Sequence, residues 1–396
     1  LGDLIKISKN LSGTGNNKRN FTLLGDPALM LRYPELGAEI TSINGKPVDE
    51  EADTLKALSV ANLSGRIFTP IGQVASDFSG NATITVFDKK SEIKTLANDG
   101  GMPMTFFSWD NVLYKGRAIV NNGLFSIDFV VPKDIRLSFG TGRISIFADD
   151  SARVAMGYNE SVIVGGVFNS PYTDNEGPEI DVYLNDTLFN GGGISDSSPK
   201  LLIRLRDESG INTSGIGIGH DLTATLTSPG GDEVNVILNM YYQSEPNSYQ
   251  EGYVNYQLAD LSEGRYWLRV KAWDTYNNSS EKIISFVVVG AGNLQLEKFY
   301  SYPNPFSEGT SFYFEHNMPE DEFNLTIQIF DVAGRLVSTI TQSQAYSGGY
   351  RVGPIYWNGT DSRGSRLGRG IYICRLSVKT SSGYAASLQH KLVILR

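Results

Sequence analysis

The sequence predicts a mainly β protein, built from three sandwich-like parts behind a short N-terminal helix. Three observations carry this. Beyond Pro34, apolar and polar residues alternate with period 2 in segments of five to nine residues, the pattern of half-buried strands. Hairpin-type turn residues separate them at Asn44-Gly45, Asn121-Asn122-Gly123, Ser228-Pro229-Gly230-Gly231 and Asn358-Gly359. A helical stripe occurs only in LGDLIKISKNL (1–11), through Leu1, Leu4, Ile5 and Leu11.

The N-terminal piece continues into FTLLGDPALML (21–31), which reads as a strand, a Gly-Asp-Pro turn and a short apolar element. A helix and a strand bury too little to fold alone, so residues 1–35 are expected to complete a domain lying upstream of Leu1. Residues 36–170 supply strands at 38–43, 82–87, 117–120, 124–131, 143–148 and 161–164. A polar linker, PYTDNEGPEI (171–180), leads to a second set within 171–290, at 180–184, 200–205, 222–226, 233–239, 253–258, 266–273 and 282–289. Seven strands in such a span is an immunoglobulin-like number. Gly290-Ala291-Gly292 marks the next boundary, and 291–396 holds a third set at 325–331, 335–341, 354–357, 370–378 and 385–395.

Composition removes several function classes. The 396 residues carry 34 Lys+Arg against 43 Asp+Glu, a net charge of −9. Nothing neutralises phosphates in bulk, so no nucleic-acid or anionic-membrane ligand is expected. With 42 Gly and 15 Pro the chain is neither collagen-like nor low-complexity, and its 40% hydrophobic residues suffice for sizeable cores. The apolar run 283–289 is broken by Ser285 and falls far short of the roughly 20 residues of a membrane helix. The single cysteine, Cys374, excludes an internal disulfide and a Cys-rich zinc site.

Candidate chemistry is sparse. A cysteine–histidine pair needs Cys374 with His220, His316 or His390. Cys374 lies in the strand pattern IYICRLSV on the face of Tyr372 and Leu376, which reads as core. His220 follows the Gly-rich GIGIG, but no βαβ context makes that a nucleotide loop, and the histidines read as structural. Carboxylates at the strand ends of the middle set form a candidate calcium site: Asp181, Asp207 and Asp274, with Asp174 nearby in sequence. Calcium takes six to eight oxygens, and sandwich loops can supply them. Ordinary turn chemistry explains the same residues. Tyr241-Tyr242 and Tyr300-Ser301-Tyr302 offer an adhesive or sugar-contacting surface, or half-buried strand positions.

Several stretches resemble a known family. NKRNFTLLGDPALMLRYP (17–34) is similar to the end of gingipain-type cysteine peptidase domains. VNNGLFSIDFVVPKDI (120–135), ESGINTSGIGIGHDL (208–222), LSEGRYWLRVKAWDTYNNSS (261–280) and FYFEHNMP (312–319) resemble the PorU-like branch, the type IX secretion sortases. YPNPF (302–306), IFDVAGRLV (329–337) and WNGTDSRGSRLGRGIYICRL (357–376) resemble the type IX C-terminal signal domain. The resemblance implies tandem immunoglobulin-like β-sandwiches plus a signal-type β-sandwich, with an α/β remnant of the peptidase domain at the N-terminus. It implies a parent at the cell surface that cleaves C-terminal signals from cargo and links the cargo to anionic lipopolysaccharide by acyl transfer. The parent's Cys and His would lie upstream, and neither Cys374 nor His220 matches them. The chain itself is then expected to have no catalytic residue and no cofactor beyond that calcium. It would serve as a scaffold and dock a PorV-like outer-membrane barrel, with Tyr302, Pro303, Asn304, Pro305 and Phe306 at the docking end. Further implied partners are the upstream peptidase domain and, through the parent, secreted cargo. The alternative is the tail of a secreted type IX cargo or adhesin whose signal domain is removed near Gly290. A carbohydrate-binding array ranks third.

Overall fold

Strand alternation resolves into three successive hydrophobic cores. The computed structural model describes the chain apart from residues 1, 14, 16–21, 23–24, 29–32, 49–52, 99, 170–171, 188, 190, 216, 218, 291–293, 319–320, 346–348 and 396. Almost all of the regular structure is β, in tandem sandwiches.

The first core is enclosed chiefly by one eight-stranded sheet. Its order runs Val112–Val120, Gly80–Phe87, Arg143–Asp149, Val154–Asn159, Leu36–Ile43, Val60–Phe68 and Leu124–Val130, with Lys46–Pro47 paired to Leu36–Ile43. The two outermost strands are joined by the tight turn at Asn122 and Gly123, both at positive φ. The sheet must therefore curl back on itself. A small sheet of Gly140–Thr141, Ile163–Val167 and Leu55–Ala57 covers the rest. Phe78, Phe129, Leu63 and Ile84 fill the interior and are fully buried.

The second core lies between a four-stranded sheet (Glu179–Leu184, Lys200–Arg206, Glu251–Gln257, Tyr242–Ser244) and a five-stranded one (Ile194–Ser195, Ser279–Val288, Gly264–Trp273, Thr223–Thr227, Glu233–Ile237). The third pairs Leu296–Tyr302, Thr310–His316 and Arg351–Trp357 against Leu336–Ala345, Phe323–Asp331, Gly370–Thr380 and Ala385–Ile394. Phe312, Phe314 and Phe323 are fully buried there; truncating such a ring to alanine costs about 3–5 kcal/mol.

Every strand read from the pattern beyond Pro34 has a counterpart, with ends shifted by a few residues. The pattern overlooked Val60–Phe68, Val154–Asn159, Leu296–Tyr302, Thr310–His316 and a projecting hairpin of Ser91–Lys94 with Thr105–Ser108. Val60–Phe68 does alternate (eBiBiBiBi), but small and polar residues fill its VANLSGRIF alternation and mask it. Among the described residues the helix Gly2–Leu11 is the only α-helix. It buries no side chain: Leu4, Ile7 and Leu11 are 51%, 58% and 83% exposed. The strand expected within 21–31 falls largely outside the described residues; Gly25–Ala28 forms the turn, with Ala28 N donating to Asp26 Oδ1. No helix among the described residues is long and apolar enough to cross a membrane.

Candidate functional site

Three loops meet where the first sandwich abuts the second. Asp134 comes from the loop after Leu124–Val130, and its side chain is 11% exposed. A carboxylate so placed needs hydrogen-bond donors, since burying an unpaired charge costs several kcal/mol. All three side-chain donors come from the second sandwich. His220 Nδ1 lies 2.8 Å from Oδ2, and since a carboxylate only accepts, the tautomer that suits this contact carries its hydrogen on Nδ1. Asn212 Nδ2 donates to the same oxygen at 3.2 Å, and Asn277 Nδ2 to Oδ1 at 2.7 Å. One residue earlier, Lys133 N donates to Thr275 O.

Each donor is itself held. Asn212 is fully buried; its N donates to Trp273 O, and its Oδ1 accepts from Ser214 N and Oγ. The His220 ring packs 4.3 Å from that of Trp273. Gly217 explains part of the Gly-rich lead-in. A Cβ there would stand 2.3 Å from His220 Nδ1 and 2.5 Å from Asp134 Oδ2, so any side chain would displace the pair. His220 is thus a strut with a carboxylate partner in another sandwich. A second seam runs alongside: Arg117 N and Nε donate to Ser244 Oγ and O, Asn247 N donates to Arg117 O, and Ile119 N donates to Asn247 Oδ1. Tyr249 reaches from the second sandwich to pack against the first core.

Two of these loops, with the linker before Glu179–Leu184, also carry an acidic cluster. Carboxylate oxygens of Asp174, Asp207 and Asp274 lie within 4.8 Å of one another. Asp207 and Asp274 are 8% and 0% exposed. Asp207 Oδ1 accepts from Ser209 N and Gly210 N, and Asp274 accepts from Asn278 N and Nδ2. Ser209 Oγ donates to Asp174. Burial, aided by the two neighbouring carboxylates, pushes Asp207 up to about 7 against its backbone donors. Burial also raises Asp274. Three carboxylates supply three of the oxygens a calcium ion would take, leaving backbone carbonyls or water to complete the shell. Asp181 lies apart, on Glu179–Leu184 opposite Arg204, so Asp174 takes the place the sequence reading gave it.

Cys374 and His390 sit opposite each other on neighbouring strands. They form no catalytic pair. Cys374 is fully buried, and burial alone lifts its thiol to about 12, whereas a nucleophile needs a lowered, accessible one. His390 Nε2 is engaged by Asn304 Nδ2 at 3.1 Å and Ser301 Oγ at 3.2 Å. His316 is buried beside Phe323, and burial lowers it to about 4, so it stays neutral.

YPNPF clasps the last strand. Asn304 Nδ2 donates to Lys391 O, and Val393 N donates to Asn304 Oδ1. Phe306 N donates to Val393 O and Leu395 N to Phe306 O, with the Phe306 ring 3% exposed against Trp357. Asn304 and Phe306 are therefore spent inside the sandwich. Tyr302, 72% exposed, and the exposed Pro303 and Pro305 are the members another protein can reach. Of the tyrosines read as a surface, Tyr242 is buried and Tyr241 is 47% exposed.

Residues 302–383 match the FlgD Ig-like domain family. The chain is similar to a crystal structure of dimeric latent PorU from Porphyromonas gingivalis, at 30% identity over 94% of this chain and 35% of that one, with a TM-score of 0.42. It spans about a third of that protein's length. A tetra-tandem repeat from the extending region of a large adhesion protein aligns at 14% identity over 91% of this chain and 74% of its own, TM-score 0.20. A bacterial ice-binding adhesin structure aligns at 10% identity over 92% and 99%, TM-score 0.20. No curated protein matches the chain.

Asp134→Ala strands the buried Asn212 amide and removes all three side-chain donors' acceptor. We expect a loss of about 3 kcal/mol, seen in thermal unfolding as early, separate melting of the first or second sandwich. Asp207 is raised in the folded state, so folding favours its proton. Its effect on stability is nil below its unfolded value near 4 and becomes a penalty as pH rises toward 7. Asp207→Asn is therefore expected to stabilise by ~2 kcal/mol at pH 7.5 and by almost nothing at pH 4; chemical denaturation at both pH values measures this. The Cys374 thiol should react with a disulfide reagent only after unfolding, which absorbance of the released thiol reports.

Proposed function

We propose that this chain is the non-catalytic C-terminal region of a PorU-like type IX secretion sortase, acting as a scaffold between a peptidase and an outer-membrane barrel. One observation carries the scaffold reading. Three of the stretches that resemble the PorU-like branch, 120–135, 208–222 and 261–280, supply Asp134, Asn212 with His220, and Asn277, and these four side chains make one contact node between the two sandwiches. A junction held by a part-buried carboxylate with three side-chain partners resists bending, as a spacer requires. The identity along the chain supports the family reading.

In this reading the parent cleaves signals from cargo at the cell surface and passes the cargo to anionic lipopolysaccharide. Its cysteine and histidine lie outside this chain. The exposed apolar stripe of Gly2–Leu11 packs on the peptidase, and the third sandwich docks a PorV-like barrel through the exposed end of YPNPF. The candidate calcium set becomes Asp174, Asp207 and Asp274; millimolar calcium would then relieve the same penalty that Asp207→Asn removes.

The test is binding of the purified chain to a PorV-like barrel in detergent. We expect a stable complex with no peptide cleavage, a loss of affinity of about tenfold or more for Tyr302→Ala, and no binding once residues from 290 onward are removed. A chain that is cut near residue 290 by a type IX sortase, and that then leaves the barrel, would be cargo instead.

A further inference from the structure

We propose that His390 is an acid-operated latch in the third sandwich: a proton on its Nε2 releases Asn304 and loosens residues 302–305 from the closing strand Ala385–Ile394. The device rests on the clasp alone, whatever binds at that turn.

Hydrogen-bond polarity dictates the switch. Two backbone groups lock Asn304 in one orientation. Its Oδ1 accepts from Val393 N at 2.9 Å, and its Nδ2 donates to Lys391 O at 2.9 Å. A peptide N–H only donates and a carbonyl only accepts, so the side-chain amide cannot turn over. The second hydrogen on Nδ2 meets His390 Nε2 at 3.1 Å. Nε2 must therefore offer a bare lone pair, with the ring hydrogen on Nδ1. A proton on Nε2 sets N–H against N–H. That proton has another acceptor, Ser301 Oγ, 3.2 Å away. The ring thus has two states. Neutral, it accepts from Asn304; charged, it donates to Ser301 and repels Asn304.

Among the described residues no charged group faces the ring. His390 lies on the inner face of its strand, opposite Cys374, with the Phe299 ring edge-on at 5.8 Å. The neighbouring strand Gly370–Thr380 turns Tyr372 and Cys374 to that face, and burial raises both, so both stay neutral. Arg375 and Lys379 alternate to the other face, as does Lys391 on His390's own strand. Leu296–Tyr302 contributes Phe299 and Ser301; its Glu297 answers to Lys298, Glu315 and Arg265. Burial alone acts on His390 and lowers it from the ordinary value of about 6.5. The clasp is therefore complete at neutral pH and fails as pH falls through that lowered value. The release is local. Phe306, at the far end of the turn, keeps its own backbone bonds to Val393 and Leu395, and its ring stays buried against Trp357. The proton sets whether the exposed Tyr302, Pro303 and Pro305 are fixed or loose.

Nuclear magnetic resonance on the isotope-labelled full chain tests the latch. At about pH 7.5 the ring nitrogen shifts of His390 should show hydrogen on Nδ1 and none on Nε2. Val393 N spends its hydrogen on Asn304, so its exchange reports the clasp directly. Titration to about pH 4.5 should protonate Nε2 and cut the protection of Val393 N by about tenfold or more, as loss of one hydrogen bond does. The core amides of Ile327 and Leu376 should keep theirs. His390→Gln, whose side-chain oxygen accepts from Asn304 at every pH, should hold Val393 protection constant within about twofold. Hydrogen on Nε2 at about pH 7.5, or Val393 protection that acid leaves unchanged, overturns the proposal, and neither measurement needs a variant. An equal loss in His390→Gln overturns it too, because the acid-sensitive group would then lie elsewhere.

Discussion

A single part-buried carboxylate organises the junction on which the rest of this architecture depends. Asp134 belongs to the first sandwich, yet its side-chain donors all belong to the second. A carboxylate in that position is costly until donors reach it, so the second sandwich satisfies a group the first cannot satisfy alone. That makes the orientation between them specific. Apolar contacts such as Tyr249 on the first core tolerate sliding; three directional hydrogen bonds do not. The adjoining Arg117–Ser244 seam fixes the junction at a second place, which opposes rotation about the first.

The loops that build the node also gather Asp174, Asp207 and Asp274. The two features share backbone: Thr275 N bonds Gly210 O, and Ile211 bridges Asp274. The node thus stabilises one negative charge with donors from the neighbouring sandwich, while the cluster brings three carboxylates within 4.8 Å of one another. The second arrangement opposes folding at neutral pH unless a proton or cation neutralises it. The third sandwich is organised differently. The turn after its first strand clasps its last one, with Asn304 and Phe306 holding the closing strand, and its cysteine serves as core.

Much of the fold was legible because half-buried strands write alternation into the sequence, and Asn-Gly and Gly-rich turns mark where they end. Cys374 read correctly as core from the residues beside it. Some strands that escaped notice carry Gly or Ser where apolar residues would have signalled them, as Gly65 in VANLSGRIF and Ser301 in LEKFYSY. The site was less legible. His220 was singled out, but its partner was not, because Asp134 stands 86 residues away and spacing says nothing about loops that meet across two sandwiches. The acidic residues were noticed as strand-end carboxylates. Asp181 was grouped with Asp207 and Asp274, but it sits within a strand opposite Arg204, while the linker before that strand brings Asp174 to the other two. YPNPF was read as a surface for a partner; two of its five residues, Asn304 and Phe306, are engaged within the sandwich, since Asn and Phe can serve a clasp as readily as a docking face.

The central claim is that the node makes the first two sandwiches one rigid unit. Residual dipolar couplings of backbone amides in both sandwiches test it most directly. The account predicts that a single alignment tensor fits residues 36–168 and 179–289 together, as well as it fits each alone. Two tensors of different magnitude would mean that the sandwiches reorient independently, and would contradict it.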